Sequence, residues 1–133
     1  MRYMLDTDMC IYLVKKKPAS VVRRLRRTGI GDVCISSISL SELEYGVSKS
    51  ARPAQNQMAL AEFLAPIEVL PYDDLAAREY GPLRAELERQ GTPIGSLDTL
   101  IAAHARSLGL TLVTNNTGEF GRTPGLHVRN WAR

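Results

Sequence analysis

Gly95-Ser96-Leu97-Asp98-Thr99-Leu100-Ile101-Ala102-Ala103-His104-Ala105, followed closely by Leu110-Thr111-Leu112-Val113-Thr114, decides how the chain is read. At 3.6 residues per turn Leu97, Ile101, His104 and Leu108 share one helix face, and Asp98, Ala102 and Ala105 share its neighbour. Both faces are apolar or small, so the helix is expected to be covered on two sides and to run into a strand. An unpaired carboxylate on such a helix is costly, because burial penalises the charged form and raises its pKa. Two readings account for Asp98. It is either a first-turn acid favoured by the helix dipole, with Ser96 as the cap, or one of several acids sharing a cation.

Outward from that stretch the chain alternates short apolar runs with helical patterns. Tyr3-Met4-Leu5 reads as a strand ending in Asp6-Thr7-Asp8, with a helix from Thr7 or Asp8 through Val14. Pro18 opens a basic helix that Gly29 and Gly31 end. Val33-Cys34-Ile35 is a second strand, and Ser36, Ser37 and Ser39 offer caps for a helix to about Ser48. Pro53 starts a helix that stops at Pro66, and Ile67 to Leu70 is a third strand. Asp73 or Asp74 caps the next helix, which Gly81-Pro82 is expected to kink or divide. Asn115 to Gly118 reads as a polar loop, and Leu126-His127-Val128 as an edge strand. Strands alternating with helices in this way predict an α/β fold with a central, mainly parallel sheet covered on both sides. Sites in such sheets gather beyond the carboxyl ends of the strands, where Asp6, Asp8, Asn115, Asn116 and Glu119 would fall.

The 133 residues fit one domain, and a chain of this size buries about two thirds of its unfolded surface without staples. With 44% hydrophobic and 23% charged residues, composition gives no case for extended disorder. No apolar run approaches the roughly 20 residues of a membrane span, and the first residues lead into an acid rather than a signal-peptide core, so the chain reads as cytoplasmic. Cys10 and Cys34 lack zinc-ligand spacing and read as buried thiols. The net charge of +3 is unevenly placed. Lys15, Lys16, Lys17, Arg23, Arg24, Arg26 and Arg27 form a basic lobe with no acid between Asp8 and Asp32. It is either a phosphate-attracting surface or a solvated helix face.

On the helix from Ser37, Glu42 shares a face with Ile38, Tyr45 and Gly46, whereas Glu44 lies with Ser41 and Ser48. Glu42 is therefore the site candidate and Glu44 a surface residue, with both solvated as the alternative, and Gly46 leaves room for another backbone to approach. Asp6, Glu42 and Asp98, brought together, would repel one another without compensation. A hard divalent cation such as Mg²⁺ answers that repulsion, binding through a few carboxylates, waters and a substrate phosphate. Beside a basic lobe, the substrate class that suits such a site is a nucleic-acid phosphodiester.

Met4-Leu5-Asp6-Thr7-Asp8, Ser41-Glu42-Leu43-Glu44-Tyr45-Gly46, Pro93 through Ala105 and Val113-Thr114-Asn115-Asn116-Thr117-Gly118-Glu119-Phe120 resemble, in order, the motifs of PIN-domain ribonucleases. The match is nearest to the VapC toxins of bacterial toxin–antitoxin pairs and covers essentially residues 1–133. The resemblance implies a PIN-like α/β/α sandwich and a metal-dependent endoribonuclease using Mg²⁺ or Mn²⁺. Asp6, Glu42 and Asp98 would be the metal-binding acids. It also implies a VapB-type antitoxin that blocks the site, operator DNA bound through the antitoxin complex, and a homodimer forming one RNA groove. The first substrate expectation is tRNA, cut in the initiator anticodon stem-loop. The chain departs from the commoner family pattern at the fourth position, where Thr-x-Asp precedes a Phe: Asn116 stands there, with Glu119 just before Phe120, and either could complete the site. Thr7 could orient Asp6, and Ser96 could bond a site carboxylate, with plain capping as the alternative for both. His104 reads as a core histidine and Trp131 as a packing anchor. Asp6-Thr7-Asp8 also resembles the nucleophile loop of haloacid-dehalogenase phosphatases, but no evident downstream Lys accompanies it. A third reading keeps the fold as a non-catalytic binding module.

Overall fold

The computed structural model describes residues 1–132. Five strands form one sheet: β1 (Tyr3–Leu5), β2 (Val33–Ser36), β3 (Glu68–Leu70), β4 (Thr111–Val113) and β5 (Val128–Arg129). Their order is β3-β2-β1-β4-β5, and every pairing is parallel. Alternation along these short strands sends consecutive side chains to opposite faces. Leu5, Ile35 and Val113 join Met9, Leu13, Val21, Leu43 and Leu60 in one core. Met4, Cys34 and Leu112 join Leu83, Leu87, Ile101 and Phe120 in the other.

The first core is roofed by α1 (Thr7–Lys15), α2 (Ala19–Thr28), α3 (Ser37–Ser48) and α4 (Pro53–Leu64). The second is roofed by α5 (Asp74–Arg89) and α6 (Ser96–Ser107), with α7 (Thr117–Phe120) beside them. This is the expected α/β/α sandwich. Among the described residues no helix is long and apolar enough to cross a membrane.

Four expectations need correction. α5 runs unbroken from Asp74 to Arg89 through Gly81-Pro82. Packing of Leu83 and Leu87 into the second core holds the turn that Pro82, lacking an N–H, weakens. The cap of α6 is Gly95, not Ser96, because the backbone is still extended at Gly95. The polar segment after β4 folds from Thr117 into the short α7, capped by the Asn116 side chain. The edge strand lies two residues later than Leu126, as β5.

Strand length and capping together set the rim. Asp6 caps α1, its Oδ1 accepting the Met9 N–H at 2.9 Å, and its own N–H donates to the Val113 carbonyl at 2.9 Å. Ser36, at the end of β2, caps α3 through its hydroxyl. Buried His104 reaches across from α6 and places Nδ1 2.8 Å from the same Ser36 Oγ. That bond ties the helix carrying Asp98 to the one carrying Glu42. His104 is thus a satisfied core residue, its pKa lowered by burial. Trp131 is also buried, packed edge-on against Tyr3. Both cysteines are buried free thiols.

Candidate active site

A cleft of about 770 Å³ opens at the carboxyl ends of the strands, and Asp6, Asp8, Glu42, Asp98 and Asn116 all line it. Each acid arrives on a different element: Asp6 at the β1–α1 junction, Glu42 in the second turn of α3, Asp98 in the first turn of α6. Asp98 therefore fits both sequence readings, being a dipole-favoured first-turn acid that also faces the cleft. Glu42 is half-buried in the cleft wall while Glu44 is exposed to solvent, as the helix phase predicts.

The electrostatics are those of crowded acids. Asp6 is only 3% exposed, and its carboxyl is pushed up to about 7. Desolvation is the main cause. The Thr114 hydroxyl and the Met9 N–H pull it back, and the charges of Asp8 and Asp98 push it further up. Asp98 is raised to about 6 by desolvation, then by Glu119, Glu42 and Asp8. Among the described residues none of these acids is ion-paired: the salt bridges involve Asp32, Asp74, Glu79, Glu86 and Glu88. Lys49, which lines the cleft, lies over the Tyr45 ring.

The donor set is oxygen only, which suits a hard cation. Among the described residues no three His, Cys, Asp or Glu side chains stand close enough to form a finished metal cage. Mg²⁺ does not need one, since it keeps several waters and takes one or two carboxylates plus substrate phosphate. Clustered carboxylates with elevated pKa values are what such a cation would relieve.

The supporting residues differ from expectation. Thr7 does not orient Asp6; its Oγ1 donates to Glu42 Oε1 at 2.5 Å and lies 3.2 Å from Ser39 Oγ. Thr114, buried at the end of β4, takes the role expected of Thr7, and it also accepts the Asn116 N–H. Only its position in Val113-Thr114-Asn115-Asn116 marks it in the sequence. Ser96 is exposed and lines a separate small cavity with Pro93, Ile94 and Tyr80, without a hydrogen bond to a site carboxylate among the described residues. Gly46 admits no close backbone: a Cβ there would meet nothing within 4 Å, so the space belongs to the cleft. Tyr45 and Lys49 line the cleft without having been singled out for the site, and Asp8, expected on the rim, lines it too.

Asn116 and Glu119 act as a pair. The Asn116 Nδ2 donates to Glu119 Oε2 at 2.6 Å while its Oδ1 accepts the Glu119 N–H at 3.4 Å. Asn115, by contrast, turns to the Tyr12 hydroxyl and to Asn130. Of the basic lobe, Lys15 lines a groove that adjoins the cleft through Ile11, Glu42 and Gly46. Arg23, Arg24, Arg26 and Arg27 are exposed on α2, outside the cleft, with Arg24 lying over the Trp131 ring.

An all-parallel five-stranded sandwich with acids brought together from the end of β1, from α3 and from the first turn of α6 is the architecture of a PIN domain, and the PIN-domain family pattern matches residues 3–126. Over 132 residues, 99% of both chains, the sequence is 49% identical to the tRNA(fMet)-specific endonuclease VapC of Shigella flexneri. The fold superposes on VapBC from Salmonella typhimurium, bound to DNA, with TM-score 0.94 and 46% identity over 98% of each chain. It superposes on VapBC2 from Rickettsia felis, bound to a promoter DNA fragment, with TM-score 0.93 and 45% identity over 98% of this chain and 99% of that one. The chain belongs to the VapC ribonucleases of the PIN-domain family.

Proposed function

We propose that this protein is the toxin of a toxin–antitoxin pair, an endoribonuclease that needs Mg²⁺ or Mn²⁺ and is silenced by a VapB-type antitoxin. The observation that carries the reading is the meeting of Asp6, Glu42 and Asp98 in one cleft with two of the three carboxyls pushed up in pKa. Asp6 and Asp98 are the acids best placed to hold the cation, with Glu42 reaching it directly or through water. A bound Mg²⁺ supplies charge to offset the build-up on the phosphate oxygens and lowers the pKa of water. Within the chain, Thr7 fixes the Glu42 carboxylate, Met9 and Thr114 fix Asp6, and Asn116 bonds Glu119, whose charge raises the Asp98 pKa. Glu42, which lines the cleft, is then the group positioned to orient water for in-line attack on phosphorus and to accept its proton, with Glu119 acting on Asp98 through its charge.

The substrate we favour is tRNA, with initiator tRNA first, on the strength of what the Shigella relative is named for. The Salmonella and Rickettsia complexes support an antitoxin partner and operator DNA bound by the pair. The exposed arginines of α2 would contact RNA backbone remote from the cut, across a homodimer whose two clefts share one strand. The whole chain acts as one domain in this reading, in the cytoplasm.

The test uses protein freed of antitoxin. It should cut initiator tRNA with Mg²⁺ or Mn²⁺ and stop with a chelator, and Asp98→Asn should remove cutting while leaving the fold intact. Cleavage that survives Asp98→Asn and Asp6→Ala would disprove the site. Trapping of phosphate on Asp6 would instead point to phosphatase chemistry.

A further inference from the structure

Tyr45 stands out because an exposed aromatic ring gains nothing for the fold. It is 65% exposed, on α3 one turn after Glu42, and it lines the acid cleft. The Lys49 ammonium lies 4.9 Å from its ring centroid, and even with that contact most of the ring is open. Glu42, Tyr45, Gly46 and Lys49 follow 3- and 4-residue spacing, so acid, ring, bare backbone and cation run in one stripe along α3, about 10 Å from Glu42 to Lys49. Gly46 adds no side chain beside the ring, and a Cβ there would meet nothing within 4 Å. Leu97 of α6, 47% exposed, lines the same cleft.

Charge narrows what this stripe can hold. Among the described residues lining the cleft, Lys49 is the only basic one, against Asp6, Asp8, Glu42 and Asp98. An RNA strand brought to a cation held by those acids also needs a local positive charge for its neighbouring phosphate and a surface for its bases. Single-stranded RNA is held in this way elsewhere, with bases on aromatic faces and phosphates on lysine or arginine. We infer that Tyr45 is the stacking platform for an unpaired nucleobase next to the scissile phosphate, and that Lys49 holds the phosphate of that nucleotide. This deepens the proposed ribonuclease reading and rests on it. It assigns the cleft a single-stranded substrate segment, such as a loop.

The test is binding of a fluorescein-labelled single-stranded RNA of about ten nucleotides, followed by anisotropy with Ca²⁺ in place of Mg²⁺ so that the acids stay neutralised and cutting is suppressed. Tyr45→Ala should weaken binding by about 5- to 150-fold, the range for loss of one base stack, and Tyr45→Phe and Tyr45→Trp should restore it. An abasic nucleotide walked along the probe should cost the native protein affinity at one position, and cost Tyr45→Ala nothing there. Lys49→Gln should reduce the slope of log affinity against log salt by about 0.7, as for one contact to a single strand. Equal affinity of Tyr45→Ala and the native protein overturns the proposal and leaves the ring as a contact for a protein partner. Failure of Phe to restore binding also overturns it, since the hydroxyl and not the face would then matter. If the native protein neither binds nor, with Mg²⁺ restored, cuts RNA, the ribonuclease reading itself falls; if it cuts normally while the Tyr45 series is flat, only the stacking platform does.

Discussion

The Thr7 hydroxyl sits 2.5 Å from Glu42 Oε1, across 35 positions of sequence, and joins the start of α1 to the middle of α3. Thr7 has one proton to give, and a carboxylate is the stronger acceptor, so the buried Ser39 hydroxyl at 3.2 Å must donate to Thr7 in turn. The result is a hydroxyl chain ending on a cleft carboxylate. Thr7→Val keeps the shape and removes the donor. A hydrogen bond to a charged group is worth about 1.5–3 kcal/mol, so cleavage should fall roughly 10- to 100-fold at saturating Mg²⁺, and Thr7→Ser should recover most of it. Initial rates on one tRNA substrate decide this, and equal rates for Val and Ser would remove Thr7 from the site.

Asp6 makes metal-free stability depend on pH in a definite direction. Its carboxyl titrates near 3.8 when unfolded and about 7 in the fold. Between those values the folded state holds a proton the unfolded state has lost, so stability falls as pH rises from about 4 to 7, by on the order of a few kcal/mol. Mg²⁺ binds the ionised form, so calorimetry should show it raising the melting temperature far more at pH 8 than at pH 5. Asp6→Asn should reduce the pH dependence to the part that Asp98 leaves below about pH 6, stabilise the metal-free protein at pH 8 and abolish cutting. The same gain from Mg²⁺ at both pH values would separate the cation from these acids.

Asp6 and Asp98 were legible because each breaks an apolar pattern, and Glu42 was separable from Glu44 because 3.6-residue phasing puts them on different faces. The mainly parallel sheet covered on both faces followed from strand–helix alternation, whereas the strand order β3-β2-β1-β4-β5 did not. What the sequence hid was mutual: Thr7 choosing Glu42 over Asp6, Thr114 reaching Asp6, and Tyr45 with Lys49 facing the same opening. Those depend on where three separate elements come to rest, which no local spacing encodes. Ser96 failed for a related reason, since a serine before an apolar helix reads as a cap unless the extended backbone of Gly95 is already known.

Asn116 and Glu119 divide their labour in a way that substitution can separate. Glu119 is the first charge, after desolvation, to raise the Asp98 pKa, while Asn116 spends its amide on Glu119 and its carbonyl on capping α7. Glu119→Gln should therefore raise the Mg²⁺ concentration needed for half-maximal cleavage by about tenfold, the usual scale for disturbing a ligand's surroundings. Asn116→Ala should weaken Mg²⁺ less and destabilise α7 by about 1 kcal/mol through the lost cap. Reversal of that order in a Mg²⁺ titration would make Asn116 the direct contributor.

Pro82 offers a stability test away from the cleft. It is exposed within α5, a helix that packs along α6 behind Asp98, and it removes one N–H from the ladder. A proline inside a helix costs about 3 kcal/mol relative to alanine when nothing compensates, and a glycine about 1. Leu83 and Leu87 are fully packed on the far side, so the backbone here is already held helical and part of the strain is relaxed. Pro82→Ala should stabilise by about 1–3 kcal/mol, and Gly81→Ala, where a Cβ meets nothing, by up to about 1. Urea unfolding should show a higher midpoint with an unchanged slope, and cleavage should stay the same because neither residue lines the cleft. If Pro82→Ala instead destabilises, the curvature it imposes on α5 is part of how that helix fits α6, and the proline belongs to the support of the Asp98 helix.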